Sequence, residues 1–429
     1  MKKFSKEFLI GAATAAHQVE GNNKNSDCWV MENVPYSIYK EPSLDAVDHY
    51  NKYEEDIKLL ADVGLNAYRF SIEWARIEPE KGKFDEKEIA HYKDVLLCCH
   101  KYSLTPVVTL HHFSSPKWLI QEGGWESEST IEFFGKYCEY VVDKLGEYIP
   151  YICTINEANM GLQITKIMQG YMQQNSDDTN SSEVQVGINK EFGGQIENFG
   201  KEVEKEFKMD FGNIQVFLAP RTKEGDILVM KCHEKARQVI KGKNPNIKVG
   251  ITMSLFDIQS LPGGEEFVKK EQEEDFLHYL PYIKDDDFFG VQNYTRKIFG
   301  ANGLIASDEN TKLTQAGYEF CPEALSGVLR FVVKHWKKPL LITENGVSTT
   351  DDTERIDFIN RALRGVYDCV QEGLPILGYL HWSLLDNFEW QIGYEQKFGL
   401  IEVDRGTQTR YPKKSLSCLG DIKKFGITE

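Results

Sequence analysis

The feature that most constrains the fold is a repeated change between two hydrophobic periods. Eight short apolar stretches read as β-strands, and segments with helical period lie between several of them. Strand and helix in alternation predict a parallel sheet with right-handed crossovers, and eight such units can close into a barrel. The predicted strands are 8–16, 66–72, 105–112, 151–157, 247–255, 287–295, 339–346 and 376–384.

The helical segments support the same α/β class, a (β/α)8 or TIM barrel. Tyr50, Tyr53, Ile57, Leu60 and Val63 would share one helix face, as would Ile131, Phe134, Cys138, Val141 and Leu145. Further helices are predicted at about 226–242, 322–336 and 354–372. No linker divides the chain, so residues 1–429 are predicted to form a single catalytic domain.

One segment does not follow this alternation. Residues 171–225 are polar, rich in Gly, Asn and Glu, and only weakly periodic, and they follow the fourth predicted strand. They are predicted to be a loop insertion near the mouth of the active site.

Charge and cysteine content narrow the class of protein. A formal net charge of −16 argues against a nucleic-acid partner, which would require a basic surface. No stretch of 18 apolar residues predicts a membrane span, and the N-terminus lacks a convincing signal-peptide processing site. The nine scattered cysteines show no CxxC spacing, which is typical of reduced thiols in the cytoplasm.

Two predicted strands end in a glutamate. "YICTINEAN" runs apolar and then reaches Glu157, and "LLITENGV" does the same at Glu344. In barrels of this kind the active site is built at the carboxyl ends of the strands. Two carboxylates in one such cup are what glycoside hydrolysis requires, one ionised as nucleophile and one protonated for the leaving oxygen.

A metal site is the less favoured interpretation of these polar residues. His111 and His112 are adjacent, and neighbouring residues of a strand point to opposite faces, so both are not expected to bind one ion. We therefore predict neither metal nor cofactor.

Six motifs in order resemble the family-1 glycoside hydrolases, the group of retaining β-glucosidases and β-galactosidases built on a TIM barrel. The resemblance covers nearly the whole chain except about 171–225. The motifs are "FLIGAATAAHQVEG", "YRFSIEWARIEP", "TLHHFSSPKWL", "TINEAN", "LLITENGV" and "WSLLDNFEWQIGYEQKFGLIEVD".

The resemblance implies a role for each matching residue. Glu157 would be the general acid/base and Glu344 the nucleophile, with Arg69 beside Glu344 to keep it ionised. The implied substrate is a small β-linked glucoside or galactoside, bound without a cofactor. Its glycone sugar would be held by Gln18, His112, Asn156, Trp382, Glu389 and Trp390.

The chain departs from the family pattern at two places. The usual Asn-Glu-Pro is Asn-Glu-Ala, which is expected to free the backbone at Ala158. In "GVQNYTR", an ungapped match puts Asn293 where the family has the tyrosine that touches the nucleophile. On that match Asn293 supports Glu344 and Tyr294 faces away, unless a bulge turns Tyr294 inward.

Two alternative functions stay open on the sequence. A 6-phospho-β-glycosidase would share the barrel, although Glu389 would repel a phosphate near the 6-position of the sugar. A barrel that binds sugar without turning it over is the second alternative, suggested by Asn293.

Overall fold

The computed structural model describes residues 2–174 and 195–427. Its strands are, in chain order, β1 Leu9–Ala13, β2 Ala67–Ser71, β3 Thr105–His111, β4 Tyr151–Ile155, β5 Lys248–Gly250, β6 Thr252–Ser254, β7 Asp257–Ser260, β8 Phe289–Gln292, β9 Arg296–Gly300, β10 Gly303–Leu304, β11 Leu340–Asn345, β12 Ile376–Trp382, β13 Ile401–Asp404 and β14 Thr409–Pro412.

Nine of these strands form one parallel sheet that closes on itself as a barrel. The order is β5-β4-β3-β2-β1-β12-β11-β8-β6. Strands β5 and β6 are two pieces of one segment that is interrupted at Ile251; β5 pairs with β4 and β6 pairs with β8, which completes the circle. The eight predicted strands and the predicted barrel are confirmed.

The described helices surround this barrel, and the five predicted from periodicity are present as α3, α7, α10, α13 and α14. The α-helices are α1 Ala16–Val19, α2 Asp27–Asn33, α3 His49–Asp62, α4 Trp74–Ile77, α5 Glu86–Lys101, α6 Lys117–Gln121, α7 Ser129–Leu145, α8 Met160–Gln174, α9 Ile196–Phe207, α10 Lys223–Lys243, α11 Glu265–Asp275, α12 Leu280–Ile283, α13 Ala324–His335, α14 Asp352–Gln371 and α15 Lys414–Phe425. Short 3₁₀ turns lie at Gly124–Glu126, Gly146–Tyr148, Phe211–Asn213, Leu277–Tyr279 and Trp390–Ile392.

Side-chain caps fix where several of the long helices begin. Asp85 accepts a hydrogen bond from the backbone N–H of Lys87 at the start of α5, Thr222 accepts from Gly225 before α10, and Asp351 accepts before α14. Such caps satisfy backbone donors that a helix start leaves unpaired. Each helix then packs its apolar stripe on the sheet, as in α7, where Phe134, Cys138, Val141 and Leu145 are buried.

The described part of segment 171–225 contains helices as well as a loop, which covers most of 208–222. It includes α9 and the start of α10, whereas residues 175–194 lie outside the described residues. Phe199, Val203 and Phe207 of α9 recur every four residues and are buried, which is a helical pattern that the polar residues between them concealed.

An apolar layer fills the barrel below the catalytic end. It takes one residue from each of seven barrel segments and forms a cluster of its own, here called the barrel floor. A barrel of eight strands is narrow enough for side chains to fill it in this way. The barrel floor consists of Leu9, Ala67, Val107, Cys153, Phe288, Leu341 and Leu380.

Within residues 2–174 and 195–427, no helix combines the length and the apolar character needed to cross a bilayer.

Candidate active site

Glu344 lies at the carboxyl end of β11, where two side chains hold its carboxylate. Arg69 Nη1 donates to Oε1 at 2.6 Å, and the Tyr294 hydroxyl donates to Oε2 at 2.6 Å. Glu344 is only 3% exposed, so the ion pair with Arg69 is removed from solvent. Each oxygen of the carboxylate therefore has a defined donor.

Arg69 is itself held in place by groups from neighbouring strands. It is fully buried in β2; its Nε donates to Thr109 Oγ1 at 3.0 Å and its Nη2 to Asn156 Oδ1 at 2.6 Å. A buried guanidinium with all these acceptors has one orientation, because its donors form a rigid planar fork. Arg69 thus lies next to Glu344, the place that the family resemblance implies for it.

The prediction for Asn293 and Tyr294 is wrong in its ungapped form. The Asn293 amide donates to the backbone carbonyls of Leu255 and Thr295, both at 2.8 Å, instead of to Glu344. The ladder between β8 and β11 shifts register between Ile342 and Glu344, and β8 ends at Gln292. Residues beyond that end no longer alternate as in a strand, so Tyr294 turns inward and reaches the carboxylate.

Glu157 follows β4 in a left-handed backbone conformation, with φ of 44°. Its backbone N–H donates to Thr252 Oγ1 at 3.1 Å, and the next N–H, that of Ala158, donates to Thr252 O at 3.1 Å. The expectation that alanine frees the backbone here is wrong. Ala158 has a backbone N–H, which the proline of the family pattern would lack, and the hydrogen bond of this N–H to Thr252 O holds the chain in place. The chain after Glu157 is therefore tied to β6.

The two acids differ in what surrounds them. Burial raises the pKa of Glu157 well above its usual range, and the negative charges of Glu344 and Glu389 raise it further, against the opposing effect of Arg69. Burial also raises the pKa of Glu344, but Arg69 and the Tyr294 hydroxyl act to lower it. The surroundings therefore favour the protonated form more strongly at Glu157 than at Glu344.

Several polar side chains in the same cup have atoms without a partner among the described residues. They are buried, and buried polar atoms are nearly always hydrogen-bonded, so each such atom needs an explanation. Hydroxyl groups of a bound ligand would supply both donors and acceptors here. The atoms are Gln18 Oε1, His112 Nδ1, Asn156 Nδ2 and Glu389 Oε1.

Hydrogen bonds fix the orientation of the Gln18 amide in the cup. Its Nε2 donates to Asn387 Oδ1 at 3.1 Å and to Phe388 O at 2.7 Å, which fixes the amide and leaves Oε1 for another group. Glu389 follows in the chain, and burial raises its pKa to about 8. A carboxyl group in that state both donates and accepts hydrogen bonds near neutral pH.

Aromatic rings form one side of the cup. The His112 ring stacks against Trp382, with centroids 5.7 Å apart, and lies 6.3 Å from the Trp390 ring. Burial lowers the pKa of His112 well below its usual range, so the ring is neutral. His111, as predicted, points elsewhere and bonds to Ser115 Oγ through Nε2 at 3.0 Å.

A cavity of about 210 Å³ opens above these groups. Its wall includes Gln18, His112, Glu157, Glu344, Trp382, Glu389, Trp390 and Tyr294, so eight of the predicted residues meet around one space. Asn156 and Arg69 act behind that wall. Asp27 and the apolar side chains of α9 also line the cavity, and neither was among the predicted site residues.

A family model and solved structures of similar proteins both match this chain over nearly its whole length. The family model described as glycosyl hydrolase family 1 matches residues 1–425. The solved structure of beta-glycosidase BGL167 is similar with a TM-score of 0.87 and 40% identity, over 99% of this chain and 98% of that one.

Two curated relatives are similar over nearly their whole length. A beta-glucosidase of Agrobacterium sp. is 30% identical, with 96% of this chain and 94% of the relative covered. A 6-phospho-beta-galactosidase of Clostridium acetobutylicum is 28% identical, with 97% of this chain and 96% of the relative covered.

Proposed function

The chain belongs to glycosyl hydrolase family 1 and is a glycoside hydrolase, and on this basis we propose that it is a retaining β-glycosidase acting on small, unphosphorylated β-glucosides or β-galactosides. Glu344 is the nucleophile and Glu157 the general acid/base. Gln18, His112, Asn156, Trp382, Glu389 and Trp390 hold the glycone sugar. Its hydroxyls pair with the three unpartnered atoms that belong to residues of the cavity wall, Gln18 Oε1, His112 Nδ1 and Glu389 Oε1.

In the first step Glu344 attacks the anomeric carbon while Glu157 gives its proton to the departing oxygen. The bond to the aglycone breaks and a covalent glycosyl-enzyme forms on Glu344. Glu157, now ionised, takes a proton from water, which attacks the same carbon and releases Glu344. Two inversions leave the sugar in the β configuration.

The single observation that carries the proposal is the different support of the two acids. Arg69 and Tyr294 each donate to Glu344 at 2.6 Å, whereas burial and neighbouring negative charge favour the protonated form of Glu157. A pair in these two states has the nucleophile and the acid ready before substrate binds.

The free thiols of all nine cysteines support a cytoplasmic location.

A second candidate is a 6-phospho-β-glycosidase, since several curated relatives carry a phospho-β-glycosidase activity in their names. A phosphate bound in a pocket calls for Arg or Lys partners. None of the described residues that line the cavity is an Arg or a Lys, and Glu389 places a carboxyl group there instead. The lining thus favours a neutral sugar.

Hydrolysis of 4-nitrophenyl β-glucoside followed by proton NMR tests the proposal. We expect β-glucose to appear first and to mutarotate afterwards, with kcat/KM at least tenfold above that for the 6-phosphoglucoside. First appearance of α-glucose would refute retention. A preference for the 6-phosphoglucoside would select the second candidate, and no hydrolysis of either would favour a sugar-binding barrel.

Tyr294→Phe is expected to lower kcat/KM by roughly 10- to 100-fold, because a hydrogen bond to a charged group contributes roughly 1.5–3 kcal/mol. The change removes only the hydroxyl that donates to Glu344 Oε2. Steady-state kinetics on 4-nitrophenyl β-glucoside measure the loss. Thr311→Val, which removes an exposed hydroxyl bonded to Asp308, is the matched control and should keep wild-type kinetics. A loss below threefold in Tyr294→Phe would contradict the role given to this phenol.

A further inference from the structure

The outer part of the cavity differs in chemistry from its inner end. The inner end holds the two acids and the unpartnered polar atoms at the strand ends. The outer part is formed by segments that follow the strands, and its side chains are almost all apolar. We call six of them the outer wall: Met31, Ile38, Phe199, Phe211, Ile214 and Val216.

Five of the six outer-wall residues, all but Phe211, belong to or pack against a hydrophobic cluster that is separate from the main core. Met31 of α2, Phe199 of α9 and Ile214 pack in one cluster that is distinct from the main core. The Phe199 and Phe211 rings meet edge to face with centroids 6.0 Å apart. The wall is therefore built by packing between elements that only tertiary structure brings together.

Part of this apolar surface is still open to solvent. Phe211 of the outer wall is 37% exposed, and Ile196, at the start of α9 beside it in the cavity lining, is 41% exposed. Apolar side chains grouped around a cavity and left uncovered are typical of a surface that a ligand covers. A ligand that fills the cup would extend across these two residues.

Polar side chains are a minority in the outer part of the cavity. A sugar carries hydroxyls around its ring, and each needs a hydrogen-bonding partner when it leaves water. In the described outer lining Asp27 offers one unpartnered oxygen, Oδ2, while its Oδ1 accepts from the backbone of Cys28 and Ser115. Tyr39 and Gln391 add two more polar side chains to this lining, which is otherwise mostly apolar. The hydroxyls of a second sugar would therefore find fewer partners here than in the inner cup.

We infer that the outer wall binds an apolar aglycone, an alkyl chain or an aromatic ring, so that the enzyme prefers alkyl and aryl β-glucosides to β-linked disaccharides. The inference rests on the proposed function, since the sugar in the inner cup sets the position of the aglycone. The selectivity comes from apolar area of the aglycone that is removed from water. Each fully buried methylene is expected to raise kcat/KM about fourfold.

A homologous series of alkyl β-glucosides tests this substrate class. Methyl, butyl, hexyl and octyl glucosides release alcohols of similar leaving-group ability. Chemical reactivity therefore varies little along the series. We expect kcat/KM to rise at least tenfold from methyl to hexyl and to exceed that for cellobiose. A flat series, or cellobiose above hexyl glucoside, would overturn the inference while leaving β-glucosidase activity intact. Failure to cleave any β-glycoside would overturn the proposed function instead.

The double variant Ile196→Ser/Phe211→Ser tests the surface itself. Both side chains are partly exposed, so the fold is expected to tolerate the change. The ratio of kcat/KM for hexyl over methyl glucoside should fall about tenfold, because less apolar area is covered. Leu97→Ser, at a residue of α5 that is 42% exposed and outside the cavity lining, is the matched control and should keep the wild-type ratio. An unchanged ratio in the double variant would refute the assignment.

Discussion

Glu344→Ala is expected to lower kcat by about 10⁴-fold or more on every substrate, because the covalent intermediate can no longer form. The loss should not depend on the leaving group. Steady-state kinetics on 4-nitrophenyl and 2,4-dinitrophenyl β-glucosides, matched in glycone and different in aglycone, measure it. Wild-type activity in this variant would remove Glu344 from the mechanism.

The space left by the missing carboxylate provides a second readout. Azide is small enough to enter it and would attack the anomeric carbon from the side opposite the leaving group. The expected product is an α-glycosyl azide, formed in a single inversion. Glu344→Gln, which fills the space with a neutral group, is the control and should show no rescue. Because a buried ion pair with Arg69 is broken in both variants, thermal unfolding should confirm that they are folded.

Glu157→Ala is expected to show a loss that depends on the leaving group. Turnover of an alkyl glucoside should fall by about 10²- to 10⁴-fold, the range of general acid catalysis. Cleavage of a dinitrophenyl glucoside needs no proton, so its first step should continue and the glycosyl-enzyme should accumulate. A burst of dinitrophenol, seen by stopped-flow absorbance, measures that step. Equal losses of kcat/KM on both substrates would contradict the assignment of Glu157 as the acid.

Azide should also rescue Glu157→Ala, with the opposite stereochemistry. It attacks the glycosyl-enzyme from the side that the aglycone has left and needs no base, so the product is a β-glycosyl azide. The two alanine variants therefore give azides of opposite configuration if the roles are correctly assigned. An α-glycosyl azide from Glu157→Ala would mean that the roles are wrong.

Glu157 is also expected to set the alkaline limit of activity. The raised pKa of Glu157 means that its protonated, active form persists to higher pH than for an ordinary glutamate. Activity on an alkyl glucoside should fall as pH rises through that pKa. In Glu157→Ala this alkaline limb should be absent from the pH profile.

Periodicity was sufficient to predict the barrel. Each of the eight strands carries a run of apolar residues that a parallel sheet buries on both faces, and the helices between them have clear stripes. The two glutamates were found because an acid after such a run is unusual and the barrel brings strand ends together. The barrel and the strand-end positions of the two glutamates could therefore be predicted without knowledge of the tertiary structure.

The orientation of Tyr294 could not be obtained in this way. Strict alternation assumes a regular strand, and the shift in register between β8 and β11 ends that regularity just before Asn293. Such a shift depends on how two strands meet, which no single strand encodes. The position of Glu344 in the folded chain decides which side chain reaches it, and the order of residues in the motif does not.

The outer wall was missed for a related reason. Its residues come from two stretches that lie far apart in sequence, 31–38 and 199–216. In α9 the apolar residues recur only every fourth position among charged ones, so composition alone suggested a polar loop. Their common surface exists only after α9 packs beside α2.

The barrel floor has a consequence for the order of events. The buried side chains of Leu9, Val107, Leu380 and their neighbours fill the barrel below the acids, so substrate cannot reach the acids from that side. A glycoside must enter sugar first, and its aglycone lies between the sugar and the solvent. Departure is then sequential: the aglycone leaves before the second nucleophile arrives, and the sugar leaves last. We therefore expect ping-pong kinetics, in which an added alcohol competes with water for the glycosyl-enzyme and yields a new glycoside.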